Sequence, residues 1–202
     1  NPHILRPRVP SVSEVEEGLY LLERDWIAVQ EEEQVKSTKP KIGIMVEVPS
    51  VLLQIGEFAE LVDFFSVGSN DLTQYLLAVD RNNPHVANVY SHFHPSVLRA
   101  LNRLVEDCHI YQKPVSVCGE MAGDPLSAIL LMAMGFNTLS MSSSNILRVR
   151  KAICHVPMAD AKQLLDNVLQ MNNSLVIKSW LEHYFKTHGL ADMVKSNRLV
   201  SA

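Results

Sequence analysis

Five short apolar runs, each followed by a segment of helical periodicity, constrain this chain more than any other feature. They are HILRPRV (3–9), IGIMVEV (42–48), VDFFSVG (62–68), PVSVC (114–118) and TLSMS (138–142). The second is almost unbroken apolar, as a parallel strand covered on both faces reads. Between and after them, helical stripes recur. Val15, Leu19, Leu22, Trp26 and Val29 fall at spacings of three and four, behind a capping-box spacing Ser13-x-x-Glu16. The spacing predicts further helices over 51–61, 72–78, 95–108, 125–134, 144–154, 158–171 and 174–188. Pro95 suits a first helical position, Asp124 an N-cap, and Gly135 and Gly189 C-terminal stops. Strands alternating with helices predict an α/β fold with a parallel sheet and helices outside. An open doubly wound sheet and a (β/α)8 barrel both fit. A barrel takes about 250 residues, so on that reading residues 1–202 form one partial domain, the later part of a barrel.

The bulk numbers exclude several classes. With 47% hydrophobic and 20% charged residues, the chain has the make-up of an ordinary globular protein. A net charge of −4 without a Lys/Arg block argues against nucleic-acid binding. No apolar run approaches the roughly 18 residues of a membrane span. Three cysteines, Cys108, Cys118 and Cys154, lie far apart without CxxC pairing. That favours a reducing, cytosolic setting over a disulfide frame or structural zinc. The chain begins Asn1-Pro2-His3 and is expected to be a piece of a longer protein.

In both candidate architectures, function gathers beyond the carboxyl ends of the strands. Glu47 falls at the end of run 42–48; Ser69, Asn70 and Asp71 follow run 62–68; Cys118, Gly119 and Glu120 end run 114–118. Two carboxylates from neighbouring parallel strands would converge there, as a Mg²⁺ site requires, since that ion takes hard oxygen ligands and completes its shell with phosphate and water. Plainer readings stand beside these. Asp71 could cap a helix, Asn70 could be a turn residue, Arg81 a surface cation and Cys118 a small buried hydrophobe. Glu47 favours the ligand reading, because a carboxylate ending an apolar strand is costly if buried and unpaired. His85, His92 and His94 lie within ten residues, but a loop gives them no fixed ligand geometry.

Read together, GIMVEVPS (43–50), DFFSVGSNDLTQYLLAVDRNN (63–83), HPSVLRAL (94–101), VCGEMAGDP (117–125) and LSMS (139–142) resemble the phosphoenolpyruvate-utilising enzymes. Within them they are most similar to Enzyme I of the bacterial phosphotransferase system, in its nitrogen-related branch. The likeness is strong over 42–153 and general elsewhere. It implies a (β/α)8 barrel that binds phosphoenolpyruvate with Mg²⁺ and passes the phosphoryl group to a histidine on a separate N-terminal domain, leaving pyruvate. An HPr-like phosphocarrier would then receive it. Carried over by position, Glu47 and Asp71 match the Mg²⁺ ligands. Asn70 and Arg81, with Asp71 beside them, match the substrate-binding groups, and Cys118 matches the acid that protonates the enolate carbon. Glu120 is placed to orient Cys118 or to bind water.

The departures carry expectations too. The phosphohistidine domain and the early barrel strands are absent from these residues, so the chain alone is expected to be inactive. Arg6 and Arg8 stand where the family has apolar residues and a Pro-Met pair, and neither has an assigned role. Open sheet edges predict self-association, as a homodimer or by edge covering. Pyruvate phosphate dikinase and phosphoenolpyruvate synthase share the G-x-N-D and C-G-E stretches. A regulatory barrel without chemistry is the alternative from another class.

Overall fold

A computed structural model describes residues 3–34, 38–83, 86 and 89–194. Among them the chain forms five strands: β1 (His3–Arg6), β2 (Lys41–Val46), β3 (Phe64–Gly68), β4 (Val115–Cys118) and β5 (Thr138–Ser140). The helices are α1 (Val12–Glu32), α2 (Ile55–Leu61), α3 (Ser69–Leu77), α4 (Pro95–Ile110), α5 (Pro125–Met134), α6 (Ser143–His155), α7 (Met158–Gln170) and α8 (Ser174–Thr187).

The strands form one sheet in the order β1-β2-β3-β4-β5, every neighbouring pair parallel. That order settles the architecture. A doubly wound sheet reverses its strand order at a switch point, whereas here the order never reverses. Parallel crossovers are right-handed, so winding always in one direction puts the helices on one side, as in an arc of a (β/α)8 barrel.

The two faces of the sheet differ accordingly. Ile42, Ile44 and Val46, Phe65 and Val67, Val115 and Val117 alternate along the strands and are buried in the helix-covered core with Phe58, Leu98, Leu101 and Ile129. The intervening residues form the other face in register: Met45 beside Ser66, Ser66 beside Ser116, Ser116 beside Thr138. One layer further, Gly68 pairs with Cys118 and Cys118 with Ser140. The unbroken apolar look of 42–48 therefore serves only one packed face. The other carries Met45 and Phe64 among small and polar groups.

Several boundaries differ from expectation for local reasons. β1 stops at Arg6 instead of reaching residue 9, because Pro7 has no N–H to continue a ladder and Arg8 turns to φ 51°. The capping box at Ser13 is not used. Ser11 is the N-cap of α1, and its hydroxyl meets that of Ser13 at 3.3 Å. The 51–61 helix divides at Gln54 into a 3-10 turn over Pro49–Leu53 and α2. α3 begins at Ser69 behind an N-cap Gly68, so Asp71 lies inside the first turn and is not its cap. Asp124 as N-cap, Pro95 as first helical residue and Gly135 as left-handed stop are as expected; the Asp124 carboxylate accepts from the Ser127 N–H at 3.0 Å.

Among the described residues no further strand pairs with β1 or β5. Ile4 and Leu5 on β1 are more than a third exposed, and an apolar hollow of about 430 Å³ opens beside them between Leu22, Trp26 and Pro40. No helix of the described residues is long and apolar enough to cross a membrane.

Candidate functional site

The polar residues singled out at the strand ends converge. Glu47 directly follows β2 and, by the register, stands beside Gly68, with Cys118 one strand further on. It is only 5% exposed. Its Oε1 accepts the backbone N–H of Arg8 at 2.7 Å. Its Oε2 faces Gly68, where an added Cβ would sit 3.1 Å from it. Glycine at 68 thus keeps open the space that the second carboxylate oxygen occupies.

Asp71 projects from the first turn of α3, and its Oδ1 lies 3.5 Å from Nη2 of Arg81. Arg81 follows the left-handed stop of α3 at Ala78 (φ 52°), and its N–H is accepted by the side-chain oxygen of Gln74 at 3.3 Å. The glutamine of the N-D-L-x-Q stretch therefore helps place the arginine.

Two bonds clasp the β3–α3 junction to the β4 terminus. The Ser69 hydroxyl donates to the Cys118 carbonyl at 2.6 Å, and the Asn70 side-chain oxygen accepts the Glu120 N–H at 3.2 Å. The second bond fixes the Asn70 amide and leaves its NH₂ group to donate elsewhere. Between them Gly119 adopts φ 103°, and a Cβ there would lie 2.5 Å from the Ser69 hydroxyl and 3.0 Å from the Asn70 side-chain oxygen. Substitution is doubly barred, by backbone strain and by contact. Gly119→Ala is expected to cost about 1–3 kcal/mol, read as a lower denaturation midpoint; an unchanged midpoint would show the clasp to be dispensable.

The Cys118 thiol is half-buried and donates to the Val67 carbonyl at 3.4 Å. Its pKa is raised, first by burial, then by the Glu47 carboxylate and more weakly by Asp71. Both carboxylates thus act on the thiol, and at neutral pH it carries its proton. Cys108 is a core residue whose burial pushes its thiol up to about 12, and Cys154 is exposed. The site thiol is Cys118.

Pattern reading missed several members. Tyr90 donates its hydroxyl to the Asn70 backbone carbonyl at 3.1 Å and meets His92 edge-on, with ring centroids 5.3 Å apart. His92 is held below its ordinary pKa by burial, and its Nδ1 is buried without a protein partner. Arg8, left without a role, contributes its backbone N–H to Glu47 rather than its guanidinium. Arg6 pairs with Glu14 at 3.2 Å, away from these groups. Of the other two histidines of the 85–94 stretch, His94 accepts the Ser96 N–H to cap α4, and His85 lies outside the described residues.

The donor set suits a hard divalent cation. Glu47 is a buried carboxylate with one N–H partner and a free oxygen in a glycine-lined space, a costly arrangement without a positive counterpart. Among the described residues no group of three or more His, Cys, Asp or Glu could hold a metal. Two carboxylates fit Mg²⁺, which takes only one or two and completes its shell with phosphate oxygens and water.

A match to the family described as PEP-utilising enzyme, PEP-binding domain covers residues 1–158. The chain belongs to that family. Among curated relatives, the phosphoenolpyruvate-dependent phosphotransferase system protein of Escherichia coli K12 is 38% identical over 195 residues, which are 96% of this chain and 26% of that protein. The phosphoenolpyruvate-protein phosphotransferase of Haemophilus influenzae is 36% identical over 187 residues, 93% of this chain and 32% of that protein. This PEP-binding domain chain thus spans about a quarter to a third of the relatives it matches. In structure it resembles a citrate lyase from Burkholderia xenovorans LB400, with a TM-score of 0.56 and 17% identity, over 93% of this chain and 64% of that one. It also resembles a pyruvate kinase from Cryptosporidium parvum, with a TM-score of 0.52 and 13% identity, over 94% of this chain and 34% of that one. At such identities these two bear on the fold alone, and both are of the TIM-barrel kind.

Proposed function

We propose that this chain is the phosphoenolpyruvate-binding part of an Enzyme I-type phosphoenolpyruvate–protein phosphotransferase, with residues 1–202 forming a partial C-terminal barrel domain. The observation that carries the reading is the convergence of Glu47, Asp71 and Cys118 at the ends of adjacent parallel strands, with Asn70 and Arg81 alongside. The names of the relatives favour a protein acceptor over the dikinase and synthase readings. Retention of all five groups weighs against a barrel that has lost its chemistry.

The roles follow from charge and reach. Phosphoenolpyruvate brings a phosphate and a carboxylate. The Arg81 guanidinium offers paired donors to one of these anionic groups, and the Asn70 NH₂ adds a neutral donor. Glu47 and Asp71 would hold Mg²⁺, which when bound neutralises charge on the phosphate and on the enolate oxygen. The bridging P–O bond breaks as the phosphoryl group passes to a histidine on another domain, from which an HPr-like carrier receives it. The enolate left behind takes a proton at carbon from the Cys118 thiol, giving pyruvate and a thiolate that solvent reprotonates. Ser69 and Gly119 keep that thiol at the strand end. Self-association, as a homodimer, would cover the exposed β1 edge.

Calorimetric titration of the full-length protein with phosphoenolpyruvate, with and without Mg²⁺, tests the reading. Saturable binding is expected only with the cation, and abolished affinity in Asp71→Asn. Binding indifferent to Mg²⁺ would remove the proposed carboxylate roles.

A further inference from the structure

We propose that Ser69 is a positioning residue, which holds Cys118 against one face of the enolate while the thiol gives up its proton. The inference rests on the reading of Cys118 as the acid and of Asn70 and Asp71 as groups around the substrate.

The bond that carries it joins two strands where they part. The register of β3 and β4 ends at the pair Gly68 and Cys118. Beyond that pair one segment turns into α3 and the other into Gly119, with its left-handed φ of 103°. The Ser69 hydroxyl extends the connection by one step, donating to the Cys118 carbonyl at 2.6 Å. A serine at a helix start commonly serves the N–H groups of its own helix. Here no side chain caps α3. Ser69 is only 1% exposed, and a hydroxyl so buried needs a partner. The partner it takes lies on the next strand, in the peptide that directly follows the thiol-bearing carbon. Glycine at 119 permits the approach, since a Cβ there would lie 2.5 Å from the hydroxyl.

The chemistry makes this tether matter at one step. Cys118 is tied to the β3 end twice, by its thiol on the Val67 carbonyl at 3.4 Å and by its carbonyl under the Ser69 hydroxyl. When the enolate is protonated, the S–H bond breaks and leaves its electron pair on sulfur. A C–H bond forms at the methylene carbon, and the enolate oxygen becomes the ketone of pyruvate. The thiol cannot donate to Val67 and to carbon at once. Its own tether, weak in any case, is therefore given up during the transfer, whereas the Ser69 bond to the backbone remains. Ser69 also precedes Asn70 and Asp71 in the first turn of α3. One turn thus both holds the acid and presents the groups around the substrate.

The test is Ser69→Ala in the full-length protein, with Cys118→Ala beside it. For Ser69→Ala, kcat for pyruvate formation is expected to fall about tenfold, short of the roughly 100-fold that a misplacement of 1 Å can cost. Affinity for phosphoenolpyruvate with Mg²⁺, by calorimetry, and single-turnover phosphoryl transfer should stay within about twofold, because neither step uses the acid. Ser69→Thr, which keeps the hydroxyl, should restore the rate. A second readout reports the face directly. Phosphoenolpyruvate with one deuterium of known geometry on its methylene carbon, turned over in tritiated water, gives a methyl group whose handedness records the side of protonation. The unaltered protein should give one hand and Ser69→Ala a mixture, as solvent protonates enolate that the thiol no longer meets. If Cys118→Ala abolishes pyruvate formation while Ser69→Ala keeps both rate and handedness, the role of Ser69 is overturned and the acid reading stands. If Cys118→Ala forms pyruvate normally, both fall. Equal damage by Ser69→Ala to binding, phosphoryl transfer and pyruvate formation would make Ser69 a structural residue and overturn the proposal.

Discussion

Cys118→Ala in the full-length protein is expected to abolish net pyruvate formation while leaving Mg²⁺-dependent phosphoenolpyruvate binding within about twofold. The loss should reach at least about 100-fold, the lower end of what a positioned proton donor supplies. The thiol is well placed for selective removal. Its own bond is a weak one to the Val67 carbonyl, and the strong bond at this position goes from Ser69 to the Cys118 backbone, which alanine retains. The pH profile gives a second reading. Burial raises the thiol pKa, so the proton-donating form persists as pH rises past the ordinary thiol value. Turnover should therefore fall on the alkaline side only above that value, and the limb should vanish in the variant. Phosphoryl transfer to the acceptor, followed in single turnover, should survive better than pyruvate release, because the proton is needed only after the P–O bond has broken. Normal pyruvate release by Cys118→Ala would end the acid assignment.

Much of this was legible in the chain because it is written locally. Apolar runs of five to seven residues located every strand, and periods of three and four located the helices. Given parallel strands, the polar residue ending each run had to face the carboxyl-terminal edge, which placed Glu47, Asn70, Asp71 and Cys118 together. What stayed hidden depends on contacts across the sheet. Ser69 meets Cys118 across 49 positions, Asn70 meets Glu120 across 50 and Arg8 meets Glu47 across 39. No spacing pattern carries such information. Arg8 had no assigned role for a related reason: the site uses its backbone N–H, presented by a left-handed turn after Pro7. At α1, Ser11 stands at the N-cap position, and its side chain, like that of Ser13, caps no backbone N–H. Tyr90 lay unremarked in a long connection, since a tyrosine there has no periodic partner. Gly119 could be suspected only as a turn residue until Ser69 and Asn70 were seen packed where its side chain would be.

Glu47→Gln is expected to weaken Mg²⁺-dependent phosphoenolpyruvate binding by about 100-fold or more, with the melting temperature shifted by only a few degrees. The substitution preserves shape and the oxygen that accepts the Arg8 N–H, so the 2.7 Å bond can persist. What disappears is one of two negative charges, and with it half of the proposed anionic ligand set. Stability should change little because two effects oppose. Removing a charge that is 95% shielded from water relieves desolvation, while the new NH₂ group beside Gly68 and Met45 gains no evident acceptor. Glu47→Ala separates these contributions. It also loses the bond from the Arg8 N–H, worth about 1.5–3 kcal/mol for a bond to a charged group, so it should both fail to bind and melt earlier. A third observable needs neither cation nor substrate. The Glu47 charge raises the Cys118 pKa, so Glu47→Gln should let thiolate form at lower pH and speed alkylation of Cys118 at a fixed mildly alkaline pH. Faster alkylation with cation-dependent binding intact would leave Glu47 as a neighbour of the thiol and take away its part in holding the metal. Loss of binding together with faster alkylation would tie the cation, the acid and the substrate to this one carboxylate.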